Sequence, residues 1–174
     1  MRRKHFFQSG PRHVRDPRMV LNQHNSKLKP AEVAETMGSL RTAFAHMREG
    51  VATHNEYAVL HSSMLIAQEI EQIGVVRGLQ EHITAALQAC ASYQERSGYA
   101  ENWVPSDIHF HELDALGSML DLHEYQLQQL TAREVHLAAQ RLVARTKSAG
   151  GDVYQADNSM TTLTPHKQEQ RKRA

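Results

Sequence analysis

With 174 residues, 19.7 kDa and 40% hydrophobic side chains, the chain has material for one hydrophobic core with tails and too little for two ordinary domains. Its single cysteine, Cys90, excludes an internal disulfide framework. No run of about 18 apolar residues offers a membrane span and no apolar stretch of about seven follows the charged start as in a secretory signal, so a soluble, cytoplasmic protein is expected.

The net charge of +1 conceals a separation, because residues 1–30 carry eight Lys or Arg against one Asp, whereas residues 31–147 carry eight against fifteen acids. Residues 1–29, with Gly10, Pro11 and Pro17 and no sustained period, read as a basic, extended arm. Arg2, Arg3, Lys4, Arg12, Arg15, Arg18, Lys27 and Lys29 are interleaved there with His5, Phe6, Phe7 and His13. Point charges suit phosphates and rings suit exposed bases, so these eight cations are the candidate nucleic-acid or polyanion contacts.

Pro30 suits a first helical position, where its missing N–H costs nothing. Val33, Met37, Leu40, Phe44 and Met47 then recur at steps of four and three, predicting a helix of about 17 to 20 residues ended or bent by Gly50. In the next segment Tyr57, Leu60, Met64 and Ala67 form one apolar row and Ile66, Ile70 and Ile73 a neighbouring one. So wide a face predicts a central helix packed on two sides. Gly74 and Gly78 predict a turn, after which Val76, Leu79, Ile83, Leu87 and Cys90 carry a third stripe to Gly98.

The stretch around Trp103 and Pro105 is a connector, with Ser106 the expected N-cap of a long helix and Asp107 in its first turn. Leu113, Leu116, Leu120, Leu127 and Leu130 supply its stripe, and His123 occupies the intervening apolar position. Thr131 and Glu134 match a capping box, so a further helix is expected, with Val135, Ala138 and Leu142 inward and Arg141, Arg145 and Lys147 near its C-terminal end. Gly150 and Gly151 close it, and residues 149–174 lack a stripe and read as a disordered tail with a final basic cluster. The fold expected is all-α: one helical bundle of four to five helices over residues 30–148, largely antiparallel.

Twelve histidines invite a metal reading, and Asp107, His109, His111 and Glu112 form the best cluster by helical spacing. The chain contains neither Glu-x-x-His nor His-Glu-x-x-His, so these four residues are weak candidates and no cofactor is expected. His54, His61 and His123 fall on or near apolar rows and are expected to be hydrogen-bonded at the edge of the core. Cys90 reads as packing. Phosphate-binding Gly-rich loops and the Gly-x-Ser-x-Gly elbow are missing, which favours a non-enzyme.

The function expected is a helical interaction protein that binds a partner macromolecule, chiefly a protein, with the basic arm as electrostatic tether. One alternative is a small nucleic-acid-binding regulator using the arm for phosphate contacts. Helices between residues 51 and 97 suit it poorly, since Arg77 and Arg96 stand against Glu56, Glu69, Glu71, Glu81 and Glu95. A metal-dependent helical-bundle enzyme is the second alternative. The near-heptad row from Val33 to Val51 is also compatible with a homodimer.

Overall fold

The computed structural model describes residues 25–151. Residues 1–24, with Arg2, Arg3, Lys4, Arg12, Arg15 and Arg18 of the arm expected to be extended, and residues 152–174 of the tail expected to be disordered lie outside the described residues. Within them the fold is all-α: α1 (Pro30–Arg48), α2 (His54–Ile73), α3 (Gln80–Ser97), a single 3₁₀ turn (Ala100–Asn102), α4 (Phe110–Gln129) and α5 (Ala132–Ser148).

The helix boundaries follow local chemistry. Pro30 is the first residue of α1, and the Glu32 carboxylate accepts from the Lys29 backbone N–H at 2.8 Å. Thr53 with Glu56 and Thr131 with Glu134 make full capping boxes, the carboxylate accepting from the cap's N–H and the hydroxyl accepting from the glutamate's N–H. Gly74 closes α2 at φ 86° and Gly98 closes α3 at φ 85°, both outside the region L side chains favour. A Cβ on Gly98 would also lie 2.8 Å from the Asn102 carbonyl oxygen.

The start of α4 differs from the expectation placed on Ser106. The helix begins at Phe110 with His109 as its N-cap, and the Glu112 carboxylate accepts from the His109 N–H at 2.9 Å. A start at Ser106 would put His109 at the third helical position, where a carboxylate does most for the free donors; starting three residues later puts Glu112 there. Ser106 turns instead to the Ser97 hydroxyl, 2.8 Å away.

Helices α1 to α4 form a four-membered ring in which α1 packs on α2 and α4, and α3 packs on α2 and α4. Successive members run antiparallel, since the Tyr57 hydroxyl near the start of α2 donates to the Cys90 carbonyl in the second half of α3 and Arg96 at the end of α3 pairs with Glu112 at the start of α4. Leu40, Leu60, Met64, Ile83, Leu116 and Met119 are among the side chains removed from water at its centre. The second apolar row of α2 has its own partner: Ile70 joins Leu130 and Ala138, with Ile66, Ile73 and Val135 around them, so α5 lies against the outside of α2. The two-sided helix expected from the width of that face is therefore α2. No helix among the described residues is long and apolar enough to cross a membrane.

The 49–53 and 98–109 connections meet at one end of the bundle, where the Trp103 indole N–H donates to the Ala52 carbonyl at 2.9 Å. Tyr57, Tyr93 and Trp103 cluster beneath it with ring centroids 5.2 to 6.0 Å apart. At the opposite end the chain entering α1 is pinned: the Leu28 N–H donates to the Leu130 carbonyl at 3.0 Å, and Lys27 forms an isolated antiparallel bridge with Thr131.

Candidate functional site

The four weak metal candidates are close in sequence but do not converge. Glu112 is 1% exposed and fully engaged, receiving both guanidinium nitrogens of Arg96, at 2.8 and 2.5 Å, besides the His109 amide. Burial alone would raise its pKa, yet the Arg96 guanidinium and the His109 N–H hold it below the ordinary 4.5. Asp107, His109 and His111 are exposed, and the two imidazoles stack on each other at 5.8 Å. Among the described residues no group of three or more His, Cys, Asp or Glu is placed to hold a metal ion.

Of the three histidines on or near the apolar rows, His123 is hydrogen-bonded as expected, whereas His54 and His61 make ring contacts and no hydrogen bond among the described residues. His123 is 2% exposed; its Nδ1 pairs with Gln126 Oε1 at 3.1 Å, and the Gln126 amide in turn donates to the Ala67 carbonyl at 3.4 Å. That chain of bonds places the proton on Nδ1 of a neutral imidazole. His61 stacks on Tyr57 at 5.6 Å and His54 meets Trp103 edge-on at 5.2 Å. Cys90 is buried and its thiol is pushed up to about 12 by burial, then by the Glu112 charge, so it is inert packing.

These groups give stability a definite pH dependence. Burial holds the pKa of His123 and of His61 below 6.5, so the unfolded chain takes up protons that the native state refuses as pH falls below that value. Stability is therefore full above pH 6.5 and declines below it. Glu56 and Glu112 are held below 4.5, so a second loss of the same sign begins there. Urea midpoints measured across this range are expected to fall in these two stages, and His123→Gln to flatten the first between pH 6.5 and about 5. An unchanged slope in that variant would show that His123 takes up its proton equally in both states.

Of the eight cations assigned to polyanion contact, Lys27 and Lys29 are described, and both are exposed at the pinned corner. The Lys27 ammonium donates to Gln129 Oε1 at 3.1 Å. Two features have no local signature in the sequence. One is Arg96, whose partner lies sixteen residues on across a connector. The other is the division of labour on α5: Arg145, though itself exposed, pairs with buried Glu69 at 2.9 Å, while Arg133, Arg141 and Lys147 are exposed and make no ion pair among the described residues. The only prior signal was the excess of basic residues in that segment, which complementarity to the helix dipole already explains.

Compared with protein-family models, curated proteins and solved structures, the chain matches none of them.

Proposed function

We propose that the protein is a non-catalytic helical interaction module that captures a partner macromolecule, with the basic residues ahead of α1 acting as an electrostatic tether. The observation that carries this reading is the pinned root of the arm. Backbone bonds at Lys27 and Leu28 join the cation-rich segment to one corner of a body whose residues 30–131 hold fourteen carboxylates against four arginines. A charged leader rooted on an oppositely charged body can seek an anionic partner that the body's own field repels.

Recognition rather than bond-making is the outcome proposed, and the engaged state of Glu112, Cys90 and His123 supports it, since each already serves packing or pairing. The test is a salt-reversible pull-down from nuclease-treated and untreated lysate, comparing the full chain with one lacking residues 1–24. Deletion is expected to weaken capture and leave the melting temperature unchanged. Equal capture by both chains would end the tether reading. A second reading, a nucleic-acid-binding regulator, is favoured by the free cations of α5.

A further inference from the structure

We infer that the exposed face of α5, together with the arm root beside it, is a binding surface for the phosphate backbone of a nucleic acid. The inference rests on the tether reading and names the chemistry of the partner.

Arg133, His136, Gln140, Arg141 and Lys147 are all exposed on α5. Arg133, Gln140 and Lys147 follow one another at intervals of seven residues, which is one row along a helix, and Arg141 flanks it. At 1.5 Å per residue, Arg133 and Lys147 are about 21 Å apart, the length of about six base steps of a duplex. The one acid of this helix, Glu134, is turned back to cap Thr131 at the N-terminal end, seven or more residues from Arg141 and Lys147. Arg145 is spent on buried Glu69. Three cations remain.

Two placements make this face singular. The Lys27–Thr131 bridge and the Leu28–Leu130 hydrogen bond bring the root of the arm to the first residues of α5, so the arm's cations and the helix's cations start from the same corner. Elsewhere the body repels a polyanion. Arg41 is paired with Asp121 and Glu124 and Arg96 with Glu112, while Arg77 donates to the Gly74 carbonyl and Arg48 is exposed without an ion pair among the described residues, so four arginines stand against the fourteen carboxylates of residues 30–131.

The composition of the face selects phosphate over a protein surface. A protein interface is anchored by buried aromatic or aliphatic side chains at its centre, whereas the only large apolar side chain open to water on α5 is Leu137, at 38% exposure. Backbone contact needs cations alone and is tolerant of sequence.

The experiment follows anisotropy of labelled mixed-sequence probes of about 20 nucleotides, one single-stranded RNA and one duplex DNA, titrated with the full chain across a range of salt. Neutralising the face as R133Q/R141Q/K147Q is expected to flatten the slope of log K against log salt by about 2 for the single strand and about 3 for the duplex, and to weaken binding at 0.1 M salt on the order of 100-fold or more. The control E81Q/E95Q on α3 is expected to leave the slope unchanged; an equal change there would overturn the assignment in favour of bulk charge. If the triple variant binds as the parent does while removal of residues 1–24 abolishes binding, α5 is not the site and the tether stands. If neither probe binds but polyglutamate does, the partner is an acidic protein and the inference fails. Self-assembly at low salt that the triple variant abolishes would instead assign the face to a second copy of the chain.

Discussion

Arg96→Ala is expected to cost about 3 to 5 kcal/mol at neutral pH, a large share of the stability of a domain this size. The reason lies with the partner rather than with the arginine itself. Glu112 is 1% exposed and accepts both guanidinium nitrogens, so removing Arg96 leaves a buried carboxylate with only the His109 amide. The pH dependence gives the cause away. In the parent Glu112 is held below 4.5, so its contribution is present above that value and lost on acidification. Without the guanidinium, burial dominates and the carboxyl titrates above 4.5, so the native state binds the proton more readily than the unfolded chain. The cost of the substitution then shrinks as pH falls. Urea unfolding near pH 7 and near pH 5 checks this, and adding Glu112→Gln to the Arg96 variant is expected to recover part of the loss by removing the stranded charge while keeping an acceptor for His109. Equal midpoints for the variant and the parent at pH 7 would mean that Glu112 has found another counterion.

Leu120→Asp is expected to abolish folding outright. Leu120 is 2% exposed at the centre of the ring, and its burial contributes about 2 to 3 kcal/mol that would be lost. The new carboxylate adds a desolvation cost of several kcal/mol with no cation in reach among α4's inward neighbours, Leu116, Met119 and His123. The sum matches or exceeds a typical total stability of about 5 to 15 kcal/mol. Phe44→Asp provides the contrast. Phe44 is half-buried, its ring edge facing Gly117 at the seam of α1 and α4, so an aspartate there can reach water. It is expected to lower the melting temperature while preserving helical content. Far-UV circular dichroism separates the two, and a native spectrum for the Leu120 variant would show that the α4 stripe faces solvent.

Most of the helix pattern was legible because it depends on neighbours in the chain. Stripes at steps of three and four, Pro30 at a helix start and Gly74 and Gly98 at helix ends are local signals, and each coincides with an observed boundary. The width of the α2 face even predicts its two packing surfaces. The start of α4 was misplaced because two capping solutions compete there. Ser106 offers a hydroxyl, but the N3 carboxylate of Glu112 serves the cap and the Arg96 pair at once. That second role depends on α3, which no local pattern reports. The Thr53–Glu56 box has the same spelling as Thr131–Glu134 and marks the start of α2 as plainly. The candidate surface was the least legible part. Which of Arg141, Arg145 and Lys147 is left without an ion pair is decided by Glu69 on a different helix, and the docking of the arm root is decided by backbone partners a hundred residues away.

α5 rests chiefly on α2, through Ile70, Ala138 and their neighbours, with the Arg145–Glu69 pair at its far end. It is the one helix whose departure would leave the four-membered ring intact, so its release is a local event cheaper than global unfolding. Such release would bare Ile66, Ile70 and Ile73 together, a sticky isoleucine ridge normally hidden from other molecules. The guanidinium latch on Glu69 thus does duty as a safeguard of colloidal behaviour as well as a source of cohesion.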